Sequence, residues 1–208
     1  MRWRTRARDD GCPVDLASRR PLMRHLCLGA AIMLAALGAV FGQTAIDHVK
    51  SVTAFKQIAQ VMRSPRCMNC HTMTEYPRQG DQGRRHDQTV MRGADGNGTP
   101  PMQCDACHQD SNSPDGIVPG APAWHLAPIS MSWEQARGDK DLCEGLLDKT
   151  RNGNREAKGM IIHMINDPLV QWAWTPGRGR TLPPISQEEF HGLLRLWEST
   201  GAACPTGN

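Results

Sequence analysis

The sequence predicts a mainly helical chain with long irregular loops rich in Gly and Pro, and three observations support this fold class. Two C-x-x-C-H motifs begin 37 residues apart, at positions 67 and 104. The stretch 76–128 is dense in Gly and Pro and has neither a helix nor a strand period. Helical periodicity is present before the first motif and again in the C-terminal third. We therefore expect one small domain over residues 43–208, with loops at 67–130 and helices at 131–208.

The residues that usually form a protein core are scarce. The chain has 15 Leu, 9 Ile, 8 Val and 3 Phe in 208 residues, about 17%. Such a fraction is typical of disordered chains, but disorder also requires a high net charge, and the formal net charge here is only +3. A mean hydropathy of −0.50 excludes a polytopic membrane protein. The core must therefore contain something other than aliphatic side chains.

The N-terminal part of the sequence predicts export. Residues 1–25 form a basic leader with Met23 as an alternative start, and residues 26–42 form the apolar stretch of a signal peptide. The competing interpretation is an uncleaved anchor, because roughly 20 apolar residues suffice to span a bilayer. We expect a periplasmic protein that is membrane-bound only if this segment is retained.

Most of the positive charge belongs to that leader. Seven Arg and three Asp give residues 1–25 a net charge of +4, which leaves −1 for the remainder of the chain. Nucleic-acid binding needs a clustered basic face. We therefore expect no nucleic-acid partner.

Ahead of the first motif, residues 46–63 are predicted to form an amphipathic helix. One stripe of this segment is apolar and has helical spacing. It consists of Val52, Phe55, Ile58, Ala59 and Met62. We expect the helix to deliver the chain to the first motif.

The two motifs predict covalent haem attachment. In C-x-x-C-H the two thiols form thioether bonds to one haem, and the adjoining His binds its iron as the proximal ligand. The residues assigned to two haem c groups are Cys67, Cys70, His71, Cys104, Cys107 and His108. Because the motifs are too close for each haem to have its own domain, we expect both haems in one shared core. Two porphyrins would also supply the apolar mass that the chain lacks.

Two other interpretations of the cysteine pairs are weaker. A four-cysteine zinc site would have a 33-residue gap, longer than the usual spacing of roughly 15–20 residues, and would leave both His without a role. Reduced structural thiols would also conflict with an oxidising compartment. A pair of thioredoxin-like redox motifs would require a βαβ pattern, which the sequence lacks.

Each iron needs a sixth ligand unless it is a substrate site. His86 lies in the loop between the motifs and His125 in the Pro-rich loop after the second motif, and these are the first candidates. His163 is an alternate, and it shares a predicted helical face with two Met residues. Met131 is the main thioether alternate, and it would give a higher reduction potential than a second His.

The C-terminal third is predicted to contain three helices. They span 139–149, 155–165 and a final segment that starts at the capping box Ser186–Glu189 and ends at Gly201. Cys143 and Cys204 are the only cysteines after residue 42 that the motifs do not use. In an oxidising compartment we expect a disulfide between them, the alternative being two buried free thiols.

Several longer runs carry a family resemblance over residues 60–205. They are RCMNCHTMTEYPRQGD, RGADGNG before CDACH, PGAPAWHLAPISMSW, LCEGLLDKTRNG and HMINDPLVQWAW. With these runs the chain resembles periplasmic diheme c-type cytochromes of bacteria, and more narrowly the small cytochrome family labelled isoquinoline 1-oxidoreductase subunit. The resemblance implies a redox partner protein, such as a molybdenum hydroxylase or another dehydrogenase.

Two function classes follow from the motifs. In the first, the chain carries electrons from a partner dehydrogenase or hydroxylase toward the respiratory chain and has no catalytic residues of its own. In the second, it is a diheme, peroxidase-like enzyme in which one iron keeps an open position. The sequence favours the first because it offers more than enough distal ligands to close both irons.

Overall fold

The computed structural model describes residues 42–207. The chain divides into two units, Met1–Ala45 and Ile46–Asn208, and the second contains both C-x-x-C-H motifs. The predicted basic leader, and all of the predicted signal segment except residue 42, lie outside the described residues. Within the described part, no helix is both long and apolar enough to cross a membrane.

Within residues 42–207, six α-helices make up most of the regular structure, which confirms the predicted mainly helical class with irregular regions. Helix α1 covers residues 42–62. The others are α2 (Pro65–Met68), α3 (Asp139–Leu147), α4 (Ala157–Asn166), α5 (Pro168–Gln171) and α6 (Gln187–Ser199). The predicted helices at 139–149 and 155–165 correspond to α3 and α4, and α6 ends two residues before the predicted Gly201.

The loop region differs from the sequence prediction because it contains two small antiparallel hairpins. Strands β1 (Arg78–Gln79) and β2 (Arg84–Arg85) pair with Arg78 opposite Arg85. Strands β3 (Gly98–Thr99) and β4 (Met102–Gln103) pair with Gly98 opposite Gln103. Strands of two residues are too short to show the alternation by which a strand is recognised in sequence. The two hairpins are defined by the turns between their strands rather than by a side-chain pattern.

The hydrophobic core is built where α1, α3, α4 and α6 meet. The predicted apolar stripe of α1 faces inward, and Phe55 packs against Trp197 of α6 with ring centroids 5.1 Å apart. Other fully buried members are Ile58, Met62, Leu146, Phe190 and Leu194. This core lies directly behind the first C-x-x-C-H motif, since Cys67 packs against it.

Helix α6 and the chain after it are fixed by specific contacts. The helix begins at the predicted cap, where the Ser186 hydroxyl accepts a 3.1 Å hydrogen bond from the Glu189 N–H. The Trp197 indole donates to the Ala203 carbonyl at 3.0 Å. Cys204 then forms a disulfide with Cys143 of α3, with Cα atoms 5.6 Å apart, as the sequence predicts.

Arg92 ties the loops to the first motif. Its side chain is buried, and its guanidinium donates to the backbone carbonyls of Thr72, Thr74 and Ala127 at 2.6, 3.1 and 2.6 Å. One side chain therefore joins the segment between the motifs to the residues that follow His71 and to the loop after the second motif. Such charge-assisted bonds satisfy carbonyls that lie in no helix or sheet.

Candidate cofactor site

Two adjoining cavities accompany the two motifs. The first, about 310 Å³, is lined by Cys67, Cys70 and His71. The second, about 590 Å³, is lined by Cys104, Cys107 and His108. Both volumes lie within the roughly 300–1,000 Å³ typical of small-molecule and cofactor sites. Arg66, Cys70 and His125 line both cavities, so the two spaces share a wall.

The wall of the first cavity is largely core. Side chains from four helices contribute to it: Val61, Met62, Leu146, Met160, Met164 and Phe190. These are the residues that a flat apolar ligand would contact, and Met side chains adapt readily to such a surface. A ligand in this space would complete the hydrophobic core rather than lie on its surface.

The wall of the second cavity is rich in arginine. Its lining includes Arg66, Arg78, Arg84, Arg178 and Arg180. Asp87 is the acidic residue of the same lining, and it forms an ion pair with Arg84 at 2.6 Å. The second cavity therefore suits a ligand that is apolar in its body and carries negative groups at its edge.

The two motifs share one pattern of backbone hydrogen bonds. The His71 N–H donates to the Cys67 carbonyl at 3.0 Å, and the His108 N–H donates to the Cys104 carbonyl at 2.9 Å. This single helical turn brings the two sulfurs and the imidazole of each motif to one cavity. All four motif cysteines are free in the structure.

Burial keeps the thiols of the first motif neutral. It raises the pKa of Cys67 to about 11 and that of Cys70 to about 12. Arg66 lowers both pKa values, but burial has the larger effect. Because the thiolate is the form in which cysteine binds a metal ion, a raised thiol pKa does not favour a thiolate metal cluster at this motif.

His71 is oriented by a backbone carbonyl and an aromatic ring. Its Nδ1 lies 2.7 Å from the Met131 carbonyl oxygen, and its ring stacks on Trp133 with centroids 3.6 Å apart and planes at 9°. Burial lowers the pKa of His71 to about 4, so the ring is neutral near pH 7. A neutral imidazole that donates from Nδ1 keeps the Nε2 lone pair for a metal ion.

His108 repeats this arrangement with different partners. Its Nδ1 lies 2.6 Å from the Pro119 carbonyl oxygen, and its ring stacks on Trp124 with centroids 4.5 Å apart and planes at 7°. Burial also lowers the pKa of His108. Metal-binding imidazoles in proteins are commonly oriented by such a carbonyl. The sequence did not single out Trp124 or Trp133, because neither lies in a motif and each is brought to its histidine only by the fold.

Of the predicted distal residues, His86 lies beside the second motif. Its ring centroid is 6.0 Å from that of His108, with planes at 72°. Its Nδ1 lies 2.7 Å from the Asp87 carbonyl oxygen, which leaves Nε2 available. Two imidazoles on opposite sides of one metal ion, each with a metal–nitrogen distance of about 2.0–2.1 Å, have centroids about 6 Å apart. The spacing of these two rings thus fits one metal ion between them.

His125 and His163 line the first cavity together with His71. The Nδ1 of His125 is 2.5 Å from the Ala123 carbonyl oxygen, and that of His163 is 3.2 Å from an Asp167 carboxylate oxygen. Both rings therefore have their Nε2 atoms available for a ligand. His163 lines the first cavity alone, His86 lines the second alone, and His125 lies in the wall that the two cavities share.

Met131, the thioether alternate, is buried in the wall of the first cavity, and its backbone carbonyl accepts the His71 hydrogen bond. It therefore supports the proximal side of the site through its main chain.

His191 lines neither cavity, and its Nε2 lies 2.9 Å from the Gln171 side-chain oxygen. It belongs to the contact between α5 and α6.

Two buried side-chain donors have no hydrogen-bond partner in the part of the chain that the structure describes. They are the Arg66 Nε and the Trp133 Nε1, and both residues line the first cavity. Native proteins satisfy nearly all buried polar groups. The orphaned donors thus indicate a ligand with acceptor atoms at this wall. Sequence reasoning missed both residues, and the position of Arg66 directly before Cys67 was the only signal.

Over residues 42–207, no group of three or more His, Cys, Asp and Glu side chains is arranged to hold a metal ion by itself.

No family model matches the chain, and neither a curated protein nor a solved structure matches it. The resemblance to small diheme cytochromes therefore depends on the sequence runs alone.

Proposed function

We propose that this chain is a diheme c-type cytochrome of the periplasm. One haem would be attached through Cys67 and Cys70, and the other through Cys104 and Cys107. The observation that carries the proposal is the repeated histidine environment. In both motifs the imidazole is fixed by a carbonyl at Nδ1 and stacked on a Trp, and it lines a cavity with both motif thiols.

Three features of the residues around the motifs support this cofactor. The four motif thiols are free, no described residue forms a hydrogen bond with Nε2 of either motif His, and the two cavities have apolar walls with cationic groups. Haem c is a flat apolar ligand with two carboxylates, which matches that lining. His71 and His108 are the proximal ligands in this proposal.

The distal ligands are assigned by cavity. His86 is placed opposite His108, because their rings have the spacing of two ligands on one metal ion. The ligand opposite His71 comes from His125 or His163, which line the same cavity. With imidazoles on both sides, each iron would have no open position for a substrate.

The chain's own residues have definite tasks in such a carrier. A bound haem supplies one-electron chemistry at its iron. The Met131 and Pro119 carbonyls hold the proximal rings in one tautomer and make them better donors to the metal. Met160, Met164 and Phe190 exclude water from the first cavity. The shared wall at Cys70 and His125 makes the two sites neighbours, as exchange between haems requires.

In this proposal the protein receives electrons from a partner dehydrogenase or hydroxylase and delivers them toward the respiratory chain. The partner class follows from the resemblance of the sequence runs, which suggests a molybdenum hydroxylase.

Spectroscopy of the matured protein tests the proposal against the peroxidase-like alternative. The carrier is expected to show two low-spin haems in the oxidised state by electron paramagnetic resonance, and no turnover of hydrogen peroxide. A high-spin haem in the resting or half-reduced protein, together with peroxide turnover, would establish the enzyme instead.

A further inference from the structure

Arg66 lies at the wall shared by the two cavities. Its side chain is 1% exposed, its Nη2 donates to Asp81 at 2.5 Å, and its Nε has no partner. The Trp133 indole N–H is the second orphaned donor, and it belongs to the ring that stacks on His71. Two unrelated side chains thus offer unused donors to one cavity.

We propose, on the basis of the diheme assignment above, that Arg66 and Trp133 bind the propionate carboxylates of the first haem. Haem carries two carboxylates at one edge and has no other charged substituents. Guanidinium groups form strong charge-assisted hydrogen bonds with carboxylates, and a buried indole N–H needs an acceptor. Arg66 also lines the second cavity and is therefore near both haems.

The charges around Arg66 leave room for an anion. Asp81 accepts from Arg66 and also from the Thr181 N–H, at 3.2 and 3.3 Å. Arg180 lines the second cavity together with Arg66, and within the described residues its guanidinium donates to the backbone carbonyls of Gly116, Pro176, Arg178 and Ile117 and to no carboxylate. Of these two guanidinium groups, only that of Arg66 is paired with a described carboxylate. A propionate would balance the remaining positive charge.

This role has an electrochemical consequence. A fixed positive charge near a haem favours the reduced state, which carries one positive charge less than the oxidised state. A hydrogen bond that draws charge from a propionate acts in the same direction. Loss of either donor should therefore lower the midpoint potential. In this role Arg66 and Trp133 position the cofactor and tune it.

The experiment is a potentiometric titration of the full-length, matured protein followed by visible absorption. Arg66→Gln is expected to lower both midpoints, because Arg66 lines both cavities. Trp133→Phe is expected to lower one midpoint and leave the other unchanged. A shift of about tenfold in the redox equilibrium corresponds to 59 mV for a one-electron couple.

Two matched controls isolate the orphaned donors. Trp197 lines neither cavity, and its indole already donates to the Ala203 carbonyl at 3.0 Å. Trp197→Phe should therefore leave both potentials in place. Arg195 is exposed on α6 and lines neither cavity, so Arg195→Gln should do the same.

The possible failures can be told apart. A wild-type protein without covalent haem contradicts the proposed function itself. If Arg66→Gln and Trp133→Phe each carry two haems and have the same midpoint potentials as the control variants, the propionate assignment is overturned. The cytochrome assignment is left intact by that result. If Arg66→Gln does not mature, Asp81→Asn should raise the midpoints by removing the opposing charge, and unchanged midpoints in Asp81→Asn and Trp133→Phe would overturn the inference.

Discussion

The two motif histidines are held by main-chain atoms rather than by acidic side chains. The Met131 carbonyl is 60 residues from His71 along the chain and the Pro119 carbonyl is 11 residues from His108, and each of these segments also brings a tryptophan close to its histidine. The C-x-x-C-H pattern predicted which histidines could bind iron. It could not predict Trp124, Trp133 or Arg92, because their partners are set by tertiary structure and not by spacing in the sequence.

The first prediction concerns the distal ligand of the second site. His86→Ala should convert one haem from low spin to high spin and leave the other unchanged, because the ring 6.0 Å from His108 would be lost. The change is measured by electron paramagnetic resonance of the oxidised protein. His191→Ala is the control, because His191 lines neither cavity. The spectrum of this variant should match that of the wild type. Two unperturbed low-spin haems in His86→Ala would contradict the assignment.

A second prediction concerns the first site. Because His125 and His163 both line the cavity of His71, one of the single variants His125→Ala and His163→Ala should give a high-spin first haem. Whichever of these two variants changes the first haem should, when combined with His86→Ala, give a protein with two high-spin haems. If neither single variant changes the spectrum, the bis-histidine assignment of the first site is wrong.

At the scale of elements, the sequence predicted the four longer helices, α1, α3, α4 and α6, but missed the four-residue helices α2 and α5 and both hairpins. Helix α6 has a cap, an apolar face and a length of 13 residues, and each of these features is readable in the sequence. The strands of β1–β2 and β3–β4 have two residues each and are defined by turns. Nothing in their side-chain pattern distinguishes them from the surrounding loops.

Helix α6 offers a matched pair for the packing of the core. Leu194 is fully buried and Leu196 is 40% exposed on the same helix. Leu194→Ala should lower the free energy of unfolding by about 2–5 kcal/mol, and Leu196→Ala by about 0.5 kcal/mol or less. Thermal or urea unfolding of the matured variants, followed by circular dichroism, measures both. Equal losses in the two variants would contradict the placement of this helix.

The disulfide should stabilise the contact of the C-terminal tail with α3. It closes a loop with a sequence separation of 61, for which the chain-entropy relation gives about 4 kcal/mol. The double variant Cys143→Ser/Cys204→Ser should therefore unfold at a lower temperature and still carry both haems. An unchanged unfolding temperature, or two labelled cysteines when the unreduced wild type is denatured with iodoacetamide, would contradict the bond.

At the scale of the whole molecule, the scarcity of core residues has a structural counterpart. The first cavity opens among Met62, Leu146 and Phe190, which also belong to the hydrophobic core. The composition thus predicted that the core contains a component other than aliphatic side chains. The sequence could not indicate that the two spaces share a wall, because this depends on how the loops after the second motif fold back over the first.

A chain that lacks its ligand should therefore fold poorly. A variant with Ser in place of all four motif cysteines is expected to lose helical signal at 222 nm and to unfold without a cooperative transition, because its core would contain two voids. The matured wild type measured alongside provides the reference. Full helicity and a cooperative transition in the haem-free variant would show that the cofactors are not part of the core.

The number of covalently bound haems per chain is the most direct measurement. The full-length protein is expressed with the cytochrome c maturation machinery, and haem is counted by staining on a denaturing gel and by the pyridine haemochrome spectrum. We expect two haems in the wild type and one in each of the pair variants Cys67→Ser/Cys70→Ser and Cys104→Ser/Cys107→Ser. A wild-type chain without covalent haem under these conditions would contradict the assignment of both motifs.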